Sequence, residues 1–342
     1  MQYAWGIKMK ILALVPEYKE LDRLQLNEIK DDEIIILESC DILPSKDIDM
    51  IASMSLETLE NGFLLSQKYN LPFYAHIDWI PPWLVFQDSE YNWGYMEKMS
   101  YGEKMNWVRK YQQYLTYWNL ADIKTVSSAA FIKTIKDFIG IELKNIGIKP
   151  TCADTIALKD FVYRNEDIVR KNEITCVSSF LTHKRIPHII KALQMIDFEG
   201  TLNLVGNGPE KFKFDLIQGN IDIKILGQAD KYEAIRRSKA TICLWNGTVP
   251  LESLYLGTPV IAYNNSYLKD LYGDNLIYAI DNSLTSLAQQ IKDVLNYKDL
   301  ERHDITKFAV AKIENNELNV HNLEDSVKIL NMLFKKTMRV RR

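Results

Sequence analysis

Short, almost wholly apolar runs alternate along the chain with stretches in which apolar residues return every three or four positions. The first runs are Lys10–Pro16 (KILALVP), Glu33–Glu38 (EIIILE), Ile48–Ser55 and Leu71–Ile77 (LPFYAHI). Runs of this kind suit strands buried on both faces of a parallel sheet. Between the first two, Leu21, Leu24, Leu26 and Ile29 are weakly helical in spacing. Leu56, Leu59, Phe63, Leu64 and Tyr69 are more clearly so. The pattern predicts a helix from about Ser100 to Asn119, a strand over Ala121–Ser127, and a helix capped by Ser127 running to Ile139. Residues 141–172, with Pro150 and many charges, read as a crossover between domains.

The second half repeats the alternation. Glu173–Ser179 (EITCVSS) is a strand, and Ile186, Ile189, Ile190 and Leu193 mark a helix. Thr201–Val205 and Ile223–Gly227 are strands, and Asp230–Ser238 is a helical step. Ala240–Tyr263 (ATICLWNGTVPLESLYLGTPVIAY) reads as strand, loop, short helix from near Pro250, and strand, a βαβ crossover. A strand near Leu276–Ile280, a helix over Ser283–Leu295 and a helical stretch over Glu317–Lys336 follow. Repeated strand–helix steps predict an α/β chain. At 342 residues, two domains are expected.

Composition narrows the function classes. A net charge of −3 argues against nucleic-acid binding by bulk basicity. Cys40, Cys152, Cys176 and Cys243 form no Cys-x-x-Cys pair, so a zinc site is not expected, and a reducing cytoplasm fits. The N-terminal MQYAWGIKMKILALV reads as a first strand rather than a signal peptide. No apolar run is long enough to span a bilayer.

Several residues carry candidate chemistry. In open α/β sheets, ligands bind at the C-terminal ends of strands. Asn246, Gly247 and Thr248 fall in such a loop. Glu252, in the first turn of the short helix, is either an acid favoured by the helix dipole or a carboxylate whose two oxygens accept from both hydroxyls of a ribose. Lys184 lies in a strand-to-helix loop, either simply solvated or placed to meet a diphosphate at a helix N-terminus. Gly206-Asn207-Gly208 alone reads as a plain turn. His76, at a strand end before Asp78 and Trp79, is structural or catalytic. Trp79, Trp83, Trp93, Trp107 and Trp118 sit among tyrosines and among Lys98, Lys104, Arg109 and Lys110. Tyr111, Tyr114 and Trp118 would share one helical stripe. Such rings either pack a core, stack on sugars or rest at a membrane interface. The terminal FKKTMRVRR is basic, either a disordered tail or a contact for anionic lipid.

PLESLYLGTPVIAY resembles the nucleotide-sugar segment of retaining GT-B glycosyltransferases, the glycosyl transferases group 1 or family 4-like superfamily. Glu252, Gly257, Pro259, Val260, Ile261 and Ala262 match its pattern. Leu244 stands where that family carries a second Glu, and a shortened loop would put Asn246 in its place. VGNGPE, residues 205–210, matches a family loop whose backbone approaches the donor. In the family's Val-Gly-Arg-Leu-x-x-x-Lys pattern, Val177 and Lys184 match, Ser178 and Ser179 replace Gly and Arg, and His183 or Arg185 could stand in for the Arg. AHIDW is similar to the family's strand-end His, and the last helix is similar to one that crosses back onto the N-terminal domain.

The resemblance implies GT-B architecture, with two doubly wound Rossmann-like domains facing across a cleft. Residues 1–150 would be the acceptor domain, 151–316 the nucleotide-sugar domain, and 317–342 the returning helix with its basic tail. It implies His76, Lys184 and Asn246 as catalytic residues. It implies donor contacts from Ser178, Ser179, Lys184, Gly206, Gly208, Gly227, Gln228, Gly247, Thr248, Val249 and Glu252, with the base near Gly227 and Gln228. Asp78, Trp79 and Trp83 would meet the acceptor. The reaction implied is metal-independent, retaining transfer from a nucleotide diphospho-sugar, as substrate rather than cofactor, to a glycan or lipid-linked acceptor. Two rivals stay open: a degenerate GT-B binding subunit, and a GT-B nucleotide-sugar epimerase. The expected location is the cytoplasm, with peripheral contact at the inner face of the membrane and no nucleic-acid partner.

Overall fold

The computed structural model describes residues 8–17, 20–77, 100–139, 145–181, 184–209, 221–227, 231–244, 247–315 and 317–340. The chain divides into two compact units. Of the described residues, one unit holds those up to Pro150 together with those from Leu323 onward; the other holds those within Thr151–Asn322.

The first unit runs β1 (Lys10–Leu14), α1 (Glu20–Asn27), β2 (Glu33–Leu37), β3 (Met50–Ser53), a 3-10 turn (Leu56–Thr58), α2 (Leu59–Tyr69), β4 (Phe73–Ile77), α3 (Tyr101–Asn119), β5 (Ile123–Val126), α4 (Ala129–Ile139) and β6 (Ile146–Ile148). The strands form one sheet in the order β2-β1-β3-β4-β5-β6, and every pair is parallel. All residues of β3, β4 and β5 are buried. Their apolar runs are therefore continuous rather than alternating. α3 begins with a reciprocal cap: Ser100 accepts from the Glu103 N–H, and the Glu103 carboxylate accepts from the Ser100 N–H. The cap expected at Ser127 falls one residue later. β5 ends at Val126, Ser127 is buried beyond it, and Ser128 Oγ accepts from the Ala130 N–H at 3.2 Å.

The second unit runs β7 (Thr151–Ala153), α5 (Thr155–Arg164), β8 (Glu173–Val177), α6 (Ile186–Met195), β9 (Thr201–Val205), β10 (Asp222–Leu226), α7 (Lys231–Arg237), β11 (Ala240–Ile242), α8 (Val249–Tyr255), β12 (Val260–Tyr263), α9 (Ser266–Tyr272), β13 (Ile277–Ala279), α10 (Leu284–Asn296), α11 (Asp299–Glu314) and β14 (Val320–Asn322). Its main sheet has the order β10-β9-β8-β11-β12-β13, again parallel, and β14 pairs with β7. Successive strands leave β8 in one direction and return to its other side at β11. The reversal between β8 and β11 opens a crevice at the C-terminal strand ends.

Two sequence expectations change. The crossover over 141–172 carries β6, β7 and α5; the two strands are three residues each, too short to show a period. α11 escaped the sequence pattern because its buried stripe is Arg302, Thr306, Ala309 and Ile313. The spacing is helical but the residues are half polar. Arg302 reaches the carbonyls of Val294 and Leu295 at 3.0 Å each, satisfying the C-terminal end of α10.

The last helix, α12 (Leu323–Val340), belongs to the first unit. Leu330, Leu333 and Phe334 join the core with Ile11, Met50, Tyr74 and Ile123. Each such side chain contributes roughly 1.5–3 kcal/mol by leaving water. Phe334 meets Tyr74 edge-on at 5.0 Å between ring centroids. Gln25 Nε2 donates to Ser326 Oγ at 2.6 Å. Beside α1, Lys149 and Asp22 form a nearly buried ion pair at 2.6 Å. Of the stretch read as a basic tail, residues 334–340 are the end of this packed helix, with Thr337 also buried.

Candidate functional site

The turn from β8 to α6 carries Ser178, Ser179 and Lys184. Its path is set by backbone bonds: the Ser178 N–H donates to Val205 O at 3.0 Å, and the Phe180 N–H to Asn207 O at 2.8 Å. Arg185 then takes a left-handed conformation, φ 53, at the entry to α6. That is a sparsely populated state for a non-glycine residue. The Lys184 ammonium is packed towards Cys176 and Cys243, and burial pulls its pKa down to about 8. Burial pushes the Cys176 thiol up to about 12, so it supplies no counter-charge at neutral pH. No carboxylate pairs with Lys184 among the described residues. A half-buried cation without a counter-ion is a ready position for an anion.

Gly206 and Gly208 have positive φ of 144 and 157. A Cβ at Gly206 would lie 2.0 Å from Ser178 O, and one at Gly208 2.6 Å from Phe180 O. The close approach these glycines permit here is to the chain's own Ser178–Phe180 backbone, so they hold the Lys184 turn in place. Among the described residues, a Cβ at Gly227 or Gly247 would meet nothing within 4 Å.

At the end of β11, Leu244 is 3% exposed and part of the core. The position of the family's second Glu is therefore filled by an apolar side chain facing inward. Thr248 precedes α8, Val249 is its first residue, and Glu252 stands in its first turn. The Glu252 carboxylate is 7% exposed and its two oxygens differ. Oε1 accepts from Lys231 Nζ at 3.1 Å and, weakly, from Thr248 Oγ1 at 3.5 Å. Oε2 is buried and accepts no hydrogen bond among the described residues. The expectation that both oxygens await a ribose is thus corrected to one, because Lys231 already occupies the other. Lys231 opens α7 and was not anticipated; no sequence spacing links the first residue of one helix to the fourth of the next.

His76 lies in the other unit, at the fourth position of β4, 1% exposed. The β4–β5 register sets it opposite Thr125, whose Oγ1 is 3.0 Å from His76 Nδ1 and 2.7 Å from the Tyr74 hydroxyl. In the nearby aromatic stripe, Tyr111 and Trp118 are buried, and Trp118 Nε1 donates to Thr125 O at 3.1 Å. Core packing accounts for both. Tyr114 is half-buried, with the Lys110 ammonium 5.6 Å from its ring centroid. Asn246, Gln228, Asp78, Trp79, Trp83 and His183 lie outside the described residues.

In the second unit, Ser178, Ser179, Lys184, Gly206, Gly208, Gly227, Gly247, Thr248, Val249 and Glu252 all fall at or just beyond the C-terminal ends of β8, β9, β10 and β11. Among the described residues, no group of three His, Cys, Asp or Glu forms a metal site. No described helix is long and apolar enough to cross a membrane.

The fold is that of the GT-B class. Residues 163–311 match the family described as glycosyl transferases group 1. HepE of Anabaena, solved with UDP and glucose, is similar in structure at a TM-score of 0.70 and 15% identity, over 96% of this chain and 99% of that one. The same protein solved with UDP-glucose gives a TM-score of 0.69 at 14% identity, covering 95% and 100%. The sucrose-phosphate synthase of Thermosynechococcus elongatus gives 0.70 at 14% identity, covering 96% and 99%. No curated protein sequence matches the chain. The family match lies within the second unit, and the solved structures share the fold.

Proposed function

We propose that this chain transfers a sugar from a nucleotide diphospho-sugar, with Lys184 on the diphosphate and Glu252 Oε2 on a ribose hydroxyl. The observation that carries this reading is the pairing of two unmet demands at one sheet edge. Among the described residues, a half-buried ammonium lacks a counter-ion after β8, and a buried carboxylate oxygen lacks a donor after β11. A ligand bearing both an anion and a hydroxyl answers both. Lys184 would offset the charge that grows on the leaving diphosphate, so the reaction needs no metal. His76 would orient the transferred sugar, with Asn246 in the place of the missing Glu. Ser178, Ser179, Gly206, Gly208, Gly227, Gln228, Gly247, Thr248 and Val249 would line the donor. Structural neighbours bound to UDP and UDP-glucose make UDP the first nucleotide to test. The acceptor would be a glycan or lipid-linked, met by Asp78, Trp79 and Trp83, and the sugar would keep its anomeric configuration. The site of action would be the cytoplasm, at the inner face of the membrane.

A thermal-shift panel of UDP, GDP and ADP sugars tests the reading. Stabilisation by one of them, with slow hydrolysis, is the expected result; no response to any removes it. Leu244 in the core favours a second reading, a binding subunit that has lost catalysis. Stabilisation without hydrolysis or transfer would select it. Glu252→Gln should weaken the nucleoside diphosphate about tenfold, since a hydrogen bond to a charged group is worth roughly 1.5–3 kcal/mol. Calorimetric titration showing equal affinity would leave Glu252 as a helix-start residue.

Membrane contact has its own check. Lys335, Lys336 and Arg339 are on the last turns of α12. Flotation with anionic liposomes at low salt should be lost when all three are changed to Glu, since each basic residue near such a surface adds about 1 kcal/mol. A wild-type protein that does not float removes the membrane part alone.

A further inference from the structure

Lys231 and Glu252 form an ion pair beside the proposed donor site. Lys231 comes from the loop side of α7, after β10, and Glu252 from α8, after β11. Their side chains meet at 3.1 Å, with that of Glu252 nearly buried and that of Lys231 one-third exposed. The Lys231 ammonium also sits 4.9 Å from the centroid of the Tyr232 ring, which restricts where it can point. Oε1 is thus held by Lys231 and Thr248, while the Glu252 N–H is used by Thr248 O at 3.0 Å. Among the described residues, Oε2 of this carboxylate is left without a donor.

We propose that Lys231 is a positioning residue for nucleotide binding: its ammonium fixes the Glu252 side chain so that Oε2 is presented to a hydroxyl of the nucleotide's sugar. The proposal rests on the reading of Glu252 as a sugar ligand. Its physical basis is twofold. A nearly buried carboxylate needs a partner charge to remain in place, and among the described residues Lys231 is the cation bonded to it. A glutamate side chain also has three torsions, so an anchor on one oxygen sets the direction of the other. Lys231 itself does not have to touch the nucleotide.

The test is calorimetric titration of UDP into the full chain and its variants, with GDP and ADP in parallel. Lys231→Met should weaken the bound nucleotide about tenfold, and Lys231→Arg should restore it to within about threefold, since a guanidinium can hold the same oxygen. In a Glu252→Gln background, Lys231→Met should cost less than about twofold, because the group it positions has already lost its charge. Uridine should show the same loss as UDP, because the group being aimed binds the sugar and not the phosphates. Should Lys231→Met not fold, Lys231→Gln carries the same comparison. Equal affinity in Lys231→Met overturns the proposal. So does an undiminished loss in the Glu252→Gln background, which would mean that Lys231 acts independently of Glu252. A loss confined to UDP would make Lys231 a phosphate contact and also overturn it. A wild-type protein that binds none of the three nucleotides removes the functional reading itself, and this proposal with it.

Discussion

Lys184→Ala is expected to lower turnover about a hundredfold while weakening donor binding far less. Removing one preorganised group that meets developing charge costs on the order of 10² to 10³ in rate. Only interactions that strengthen in the transition state act on turnover in this way. The same residue implies a pH dependence. Burial holds the free ammonium near a pKa of about 8, so raising the pH through that value removes its proton and its positive charge. Below about 8 the charge is present. kcat/KM should therefore fall on the alkaline side, by up to about tenfold per pH unit. Bound diphosphate favours the ammonium, so the corresponding fall in kcat should appear at higher pH. Lys184→Arg, which does not deprotonate, should lack the alkaline limb. Steady-state rates across pH, with and without EDTA, check all three. Unchanged turnover in Lys184→Ala would remove the residue from the chemistry, and activity abolished by EDTA would remove the metal-independent mechanism.

The second large effect is on stability. In Gly206→Ala, the new Cβ would fall 2.0 Å from Ser178 O; the Cβ has no torsion of its own and the oxygen belongs to backbone, so neither can turn aside. The backbone φ of 144 is also one that side-chain-bearing residues rarely adopt. Strain of this kind and displacement of the β8 turn together should cost about 3 kcal/mol. The thermal midpoint should drop on the order of 10 °C. Because the displaced turn leads to Lys184, nucleotide affinity should fall with it. Gly227→Ala is the control: its Cβ meets nothing within 4 Å among the described residues, and the change should stay within about 0.5 kcal/mol. Equal midpoints for the two variants would show that the β8 turn yields to the added methyl.

Much of the scaffold was legible in the chain because its signals are local. The buried strands β1, β3, β4, β8, β9 and β12 announce themselves as apolar runs, since both faces of each are covered. β6 and β7 are too short to show a period, and α11 buries Arg302 and Thr306 where an apolar stripe would be sought. The candidate site divides along the same line. Lys184 and Glu252 were found because each sits beside a strand end and a helix start, a relation between neighbours in sequence. Gly206 and Gly208 were found as a motif, but the reason for them, the Ser178–Phe180 backbone beneath, was not.

The sequence by itself determined the alternation of strands and helices, the doubly wound class that follows from it, and the residue types at the strand ends. Periodicity and turn chemistry act over a few residues, so they can be read directly. Only the tertiary structure decided what those residues face. It paired Lys231 with Glu252 across two strand–helix steps and left one carboxylate oxygen unmet. It set His76 against Thr125 through strand register and turned Leu244 into the core. It returned α12 to the first unit, where Gln25 and Ser326 meet from opposite ends of the chain. Such contacts depend on how separately formed elements pack, and packing joins residues that no local pattern relates.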